Sequence, residues 1–167
     1  MSPKDFKEKR KYDRYETDVK IDFYVSFDVR TKIDFRVKDP KQGTLSSQKY
    51  SAISKNISAE GISFLAEKDL AKEDQLVLDV FIPTANRPIR MEGAVRWCRA
   101  IPVQGKVKSF EVGLKLVSVN GNLVEKSISM DPVHRVIWSI VLESVFGSFK
   151  HLALKDRKRF VSLATKL

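Results

Sequence analysis

Hydrophobic and polar residues alternate along much of the chain up to residue 117. The most regular stretch covers residues 19–29, where every second residue is Val, Ile or Phe, and shorter alternating stretches cover residues 76–82, 89–97 and 107–117. A period of two is typical of a strand with one buried face. Because turn residues separate the stretches, the pattern predicts six or more short antiparallel strands, arranged as a small barrel or sandwich.

Residues 30–47 follow the most regular strand and fit the pattern less well. Alternation resumes at Ile33, Phe35 and Val37, which indicates a hairpin or an extended strand, and it stops at Asp39-Pro40. Asp, Pro and Gly are typical of turns. We therefore interpret residues 30–47 as an insertion after the first strand.

The period changes from strand-like to helical after residue 122. Asp131 and Pro132 would supply a helix cap and a first-turn proline, and apolar residues follow at helical spacing: Val133, Val136, Ile137, Ile140, Val141, Val145 and Phe149. We predict a helix that packs on the β-domain, in preference to a membrane or partner helix. Residues 150–167 hold six Lys or Arg and a single Asp, which predicts a second, basic helix or a tail. The expected division is a β-domain over residues 1–118 and a helical extension over residues 119–167.

The composition is that of a globular and basic protein. At 167 residues, 43% hydrophobic and 10% aromatic, the chain is long enough for one folded domain with an extension. Its net charge of +10 favours anionic partners such as nucleotides, nucleic acid, acidic proteins or membrane lipid. Cys98 is the only cysteine, so it cannot form an internal disulfide and is interpreted as a small core or wall residue. No signal peptide or membrane-spanning run is apparent, and the cytoplasm is the expected location.

Two short polar motifs offer candidate ligand chemistry. Arg10 and Arg14 carry fork-shaped guanidiniums, which suit phosphate oxygens and the O6/N7 edge of guanine. Asn56, Ser58 and Gly61 predict a compact turn with hydrogen-bonding side chains and a glycine that lets the backbone approach a ligand. Taken separately, the first motif also fits a solvated charged run, and the second fits a purely structural turn.

The order and spacing of these motifs resemble the PilZ family, receptors for the bacterial second messenger cyclic di-GMP. Arg-x-x-x-Arg precedes Asn-x-Ser-x-x-Gly by about forty residues, and the likeness continues in Gly93-Ala94-Val95-Arg96-Trp97 and Phe110-Glu111-Val112-Gly113-Leu114-Lys115-Leu116. Asn56 opens the turn in place of Asp, which the family pattern allows. The resemblance covers residues 10–116. It implies a mainly β fold, a small six-stranded antiparallel β-barrel with C-terminal α-helices.

The resemblance also implies which residues contact the ligand. These are Lys9, Arg10, Arg14, Asn56, Ser58 and Gly61. The two arginines would be the primary contacts, the Asn and Ser would hydrogen-bond one guanine, and the glycine would permit the turn and the approach of the nucleotide. The lysine adds a cation for a second, stacked nucleotide. No metal and no cofactor besides cyclic di-GMP are expected.

The implied function is that of a switch without catalytic activity. Binding would order the amino-terminal segment against the barrel and present a changed surface to an effector protein of unknown identity. The family is associated with flagellar motility, pili, polysaccharide secretion and virulence, and no residue selects among these processes. Common catalytic motifs are absent, and His134 and His151 are expected to be lone surface or interface residues.

Two alternatives to this receptor function stay open at the level of sequence. A basic small barrel with aromatic residues is also how many proteins bind single-stranded nucleic acid. The second alternative is a PilZ-like domain that acts as an interaction adaptor without binding a ligand. Competition and salt dependence would separate the first from a receptor, because a strand binder shows a steep salt slope.

Overall fold

The computed structural model describes residues 25–83 and 85–147, together with Lys150 and Leu154. Twelve elements are found in these residues, in chain order: β1 (Ser26–Asp28), β2 (Lys32–Val37), β3 (Tyr50–Ser58), β4 (Gly61–Ala66), β5 (Gln75–Phe81), β6 (Ile89–Val103), β7 (Lys106–Val119), β8 (Asn122–Leu123), α1 (Val124–Ser127), β9 (Ser129–Asp131), β10 (Val136–Trp138) and α2 (Ile140–Phe146). The longest strands, β6 and β7, form one extended hairpin.

Six of the strands close into a barrel. Pairing runs from β2 through β5, β6, β7 and β4 to β3, which pairs back with β2, and every pair is antiparallel. Closure satisfies the backbone hydrogen bonds that an open sheet would leave at its edges. Two short strands extend this sheet: β1 pairs with β3 on the same edge as β2, further along β3, and β8 pairs with β7. The predicted fold class, a six-stranded antiparallel barrel with C-terminal helices, is confirmed for the barrel and for helix α2. Apart from Lys150 and Leu154, the second, basic helix or tail predicted over residues 150–167 lies outside the described residues.

The interpretation of residues 30–47 as an insertion is wrong for their first part. Strand β2 lies within them and is a barrel strand, with Ile33 and Phe35 fully buried. The chain bends between β1 and β2, and the hydroxyl of Ser54 bridges the bend by accepting from the backbone N–H of Thr31 (2.8 Å) and donating to the carbonyl of Val29 (2.5 Å). Both strands therefore pair with β3, and only residues 38–49 form a loop.

The C-terminal elements pack against the core of the barrel. The buried ring of Phe27 lies 4.8 Å from that of Phe146 and 6.4 Å from that of Trp138, measured between centroids. Aromatic pairs at such distances add to the free energy gained from burial. Residues on both sides of position 118 thus belong to one hydrophobic core. Cys98 is half-buried in β6 and packs on the edge of that core.

The predicted helix start at Asp131-Pro132 is wrong. Strands β9 and β10 form a hairpin there, and the carboxylate of Asp131 accepts hydrogen bonds from the backbone N–H groups of Val133 (3.0 Å) and His134 (2.7 Å). An Asp side chain stabilises a turn in the same way as a helix cap, so local sequence does not distinguish the two. Helix α2 begins later, at Ile140, with Ser139 as its N-cap. Across the part of the chain that is described, no helix has the length and apolar character needed to cross a membrane.

Candidate functional site

An open pocket of about 580 Å³ lies beside the turn between β3 and β4. Strands β3, β4, β6 and β7 contribute to its walls, and residues with polar or aromatic side chains among its lining include Asn56, Ser58, Arg96, Trp97 and Lys115. The pocket thus brings together the predicted residues Asn56, Ser58 and Gly61. The other predicted contacts, Lys9, Arg10 and Arg14, lie outside the described residues.

The turn at the pocket is fixed by hydrogen bonds from three directions. Within the turn, the hydroxyl of Ser58 donates to the carbonyl of Gly61 at 3.4 Å. Strand β7 donates to the carbonyl of Glu60 at 2.8 Å, through a backbone N–H. The carbonyl of the buried Ala59 accepts from the hydroxyl of Ser139 at 2.5 Å. These hydrogen bonds therefore anchor the turn to β7 and to the residue that caps α2.

Gly61 is required by close packing, since its φ does not lie in the left-handed region. A Cβ atom at this position would lie 2.7 Å from the carbonyl oxygen of Leu114 on β7. Backbone cannot move aside as a flexible side chain can, so any larger residue would push β4 and β7 apart. The glycine of the motif thus sets how closely the turn approaches the neighbouring strand.

A β-bulge at Arg96 turns the side chain of Trp97 outwards. Val95 stands opposite Leu114 and Trp97 opposite Gly113, so β6 has one residue more than β7 between these pairs. Simple alternation over residues 89–97 predicts an inward Trp97, and this prediction is wrong: the side chain is 42% exposed, whereas Val95 is fully buried. A bulge re-aims side chains in this way because it interrupts the period of two.

The indole ring of Trp97 lies against the backbone of Gly113. A Cβ atom at Gly113 would lie only 2.1 Å from the ring, so the glycine makes room for it. On β6, the guanidinium of Arg99 sits 5.3 Å from the ring centroid, within the range of a cation–π interaction. Trp97 is thus an exposed aromatic side chain in the pocket lining, and aromatic side chains are the kind on which nucleic-acid bases stack.

Arg99 is held in place by the buried carboxylate of Glu111. Its Nε and Nη2 atoms donate to Glu111 at 2.8 and 2.5 Å, and the ammonium of Lys55 donates to the other carboxylate oxygen at 3.0 Å. Burial alone would raise the pKa of the Glu111 carboxyl, but the hydrogen bonds from Arg99 and Lys55 outweigh burial and lower this pKa below its ordinary 4.5. Glu111 is therefore ionised at neutral pH and fixes two cations beside the pocket.

The side-chain amide of Asn56 is oriented by Asp28. The two residues are paired across β1 and β3. Hydrogen bonding is satisfied when the amide nitrogen donates to the carbonyl of Lys55 (3.1 Å) and to a carboxylate oxygen of Asp28; in the opposite orientation the amide oxygen would face only acceptors. The amide oxygen is therefore the branch left for other donors.

Among the lining residues that sequence reasoning did not assign to the site, Arg96, Trp97 and Lys115 carry charged or aromatic side chains. The motif containing Arg96 and Trp97 supported the family resemblance, and this was the sequence signal that could have placed them at the site. Among the described residues, no group of three or more His, Cys, Asp or Glu side chains is placed to hold a metal ion.

The sequence profile of the PilZ domain matches residues 8–129, which is more than half of the chain. The chain belongs to the PilZ family. This match includes the Arg10–Arg14 motif, the turn with Asn56, and the strands that carry Trp97 and Gly113. No curated protein sequence matches the chain.

Two solved structures resemble the PilZ chain in fold. The Bacillus subtilis Inhibitor of motility (MotI/DgrA) shares 16% identity with it at a TM-score of 0.49, over 81% of this chain and 52% of that one. The PilZ domain of YcgR from Escherichia coli, solved with c-di-GMP, shares 10% identity at a TM-score of 0.46, over 81% of this chain and 96% of that one. The PilZ chain thus spans about half the length of the first of these proteins.

Proposed function

We propose that this PilZ protein is a cyclic di-GMP receptor that acts as an adaptor and not as an enzyme. The observation that carries the proposal is the meeting, in one pocket, of the Asn56–Gly61 turn with the exposed ring of Trp97. A guanine needs both a surface for stacking and polar groups at its edge. The turn supplies the polar groups, and the ring supplies the surface.

The charges of the ligand determine which other residues take part. Its two phosphodiesters require cations, and Arg96 and Lys115 supply two at the pocket wall. Arg10 and Arg14, which precede the barrel in sequence, are the primary phosphate or guanine contacts in this proposal, and Lys9 assists with a second stacked nucleotide. Asn56 and Ser58 hydrogen-bond one guanine.

Binding is proposed to change the surface that the protein presents to a partner. The amino-terminal arginines would close over a ligand whose guanine rests on the barrel, so the free energy of binding orders one part of the chain against another. The residues of the pocket do not indicate which effector protein is bound or which cellular process is regulated. A cytoplasmic location suits a receptor of this soluble nucleotide.

Calorimetric titration of the purified chain with cyclic di-GMP tests the proposal, with cyclic di-AMP and GTP as controls. We expect saturable binding at micromolar or better affinity. Arg10→Ala or Arg14→Ala should each remove charge-assisted hydrogen bonds of about 1.5–3 kcal/mol, which weakens binding about ten- to hundredfold. Wild-type affinity in either variant would place the site elsewhere.

The same titration separates the alternatives. A nucleic-acid binder would prefer single-stranded DNA or RNA over the cyclic dinucleotide and would lose affinity steeply with salt. A ligand-independent adaptor would show neither binding heat nor a thermal shift at saturating cyclic di-GMP. Either result would contradict the receptor function.

A further inference from the structure

We propose that Asp28 is a positioning residue that determines the base selectivity of the pocket. By engaging the amide nitrogen of Asn56, its carboxylate leaves the amide oxygen to accept hydrogen bonds from guanine. The inference rests on the proposed cyclic di-GMP site and names how that site would distinguish guanine from adenine.

The register of β1 against β3 places Asp28 next to Asn56. Ser26 pairs with Ser58 and Asp28 with Asn56, while Phe27 between them is buried in the core. Because side chains alternate along a strand, Ser26 and Asp28 project from the same face of β1. Ser26 lines the pocket, and Asp28 is exposed, so this face of β1 borders the site.

An asparagine amide is ambiguous because one branch donates and the other accepts. A carboxylate only accepts hydrogen bonds, so Asp28 favours the orientation in which the nitrogen of Asn56 faces it. Turning the amide over would bring two acceptor oxygens together without a proton between them, which is costly. Together with the carbonyl of Lys55, which accepts from the same nitrogen, Asp28 therefore removes the ambiguity.

The fixed amide oxygen matches guanine better than adenine. The Watson–Crick edge of guanine offers two adjacent N–H donors, at N1 and at the exocyclic amine, whereas adenine offers a donor only at its exocyclic amine and an acceptor at N1. An amide oxygen placed against N1 would accept a hydrogen bond from guanine but would face a second acceptor in adenine. The Asp28–Asn56 pair thus presents a hydrogen-bond acceptor to the base. An Asp at position 56, the residue that Asn replaces in the family motif, would present an acceptor as well.

Exchanging the two side chains tests the assignment. In Asp28→Asn only the carbonyl of Lys55 still favours the original orientation of the Asn56 amide, so the preference for that orientation weakens. Affinity for cyclic di-GMP should fall about tenfold, and the preference over cyclic di-AMP should fall with it. Asn56→Asp alone places two carboxylates opposite each other, which is unfavourable for the strand pair, and should also weaken binding. The double variant Asp28→Asn/Asn56→Asp restores an acceptor at position 56 without repulsion and should return to within about threefold of wild type.

Asp79→Asn is the matched control. It makes the same chemical change on β5, where Asp79 pairs with Arg90 outside the pocket, and should leave affinity and preference unchanged. The ratio of affinities for the two cyclic dinucleotides is independent of the folded fraction, so a partly unfolded variant still reports on selectivity.

The outcomes distinguish this assignment from the receptor function on which it rests. Unaltered affinity and selectivity in Asp28→Asn, or losses that simply add in the double variant, would overturn the role of Asp28 while leaving the receptor in place. A wild-type chain that does not bind cyclic di-GMP would overturn both. Restoration of the preference for cyclic di-GMP over cyclic di-AMP in the double variant supports the assignment, since a merely structural role of this strand pair would change the affinities for both cyclic dinucleotides alike.

Discussion

Replacing Gly113 with Ala should disable the stacking surface of the pocket while leaving the barrel folded. The new Cβ atom would lie 2.1 to 2.6 Å from three atoms of the Trp97 ring. The ring must therefore move by about 1 Å or more to reach ordinary van der Waals contact. Because Trp97 is 42% exposed, it can rotate into solvent, so the cost to stability should lie near the lower end of overpacking, at about 1 kcal/mol.

The effect on binding should be larger than the effect on stability. Stacking of a base on an aromatic side chain contributes about 1–3 kcal/mol, so a displaced ring should weaken cyclic di-GMP binding about five- to 150-fold. Calorimetry measures this loss, and thermal unfolding verifies that the variant is folded. Gly105→Ala controls for a loss of stability outside the pocket: no atom lies within 4 Å of its added Cβ, but the positive φ of Gly105 makes Ala strained there, so stability should fall while affinity stays unchanged.

A double-mutant cycle with Trp97→Ala identifies the cause. If Gly113→Ala acts by displacing the ring, it has no further effect on affinity once the ring is absent, and the double variant binds as Trp97→Ala does. Losses that add in the double variant would refute the reasoning. So would wild-type affinity in Gly113→Ala.

Two further predictions concern the supports of the site. Ser139→Ala removes the N-cap of α2 and the hydroxyl that donates to the buried carbonyl of Ala59. Urea unfolding should therefore show a free energy of unfolding lower by about 1–3 kcal/mol. Ser139→Thr keeps the hydroxyl and should lower it less; equal losses in the two variants would contradict this role. Glu111 has a lowered pKa in the folded state, so its contribution to stability is present above the unfolded pKa and disappears as the pH falls through the folded one. Chemical unfolding followed from pH 7 into the acid range should therefore show a loss below about 4.5 that Glu111→Gln reduces; an identical pH profile in that variant would contradict the effect.

Alternation of side chains predicted the barrel because its strands bury one face each. The same rule failed at Trp97, since a bulge adds one residue without changing the local composition. It also failed at β2, where the bend after Val29 looked like the end of a strand although β3 continues to pair across it.

The helical period over residues 133–149 failed for a different reason. Val136 and Trp138 are buried in the short β9–β10 hairpin. Their positions in the sequence also fit the helical spacing of the apolar residues in α2, which follows the hairpin. Where the chain turns depends on Asp131 and Arg135, the latter with a φ of +56°, and not on periodicity. Local pattern was sufficient for most strands of the barrel, with β2 as an exception, and insufficient for the elements that pack on the barrel.

The hydrogen bond from Ser139 to Ala59 has a consequence for how this domain could be moved between proteins. The region that matches the family ends at residue 129, yet the turn between β3 and β4 is held by a serine ten residues further on. Phe27 likewise loses its aromatic neighbours Trp138 and Phe146 if the chain is cut there. The region that matches the family is therefore shorter than the part of the chain that folds together. Transferring this region to another protein would require the residues through α2 as well, so that the turn between β3 and β4 keeps its hydrogen bonds.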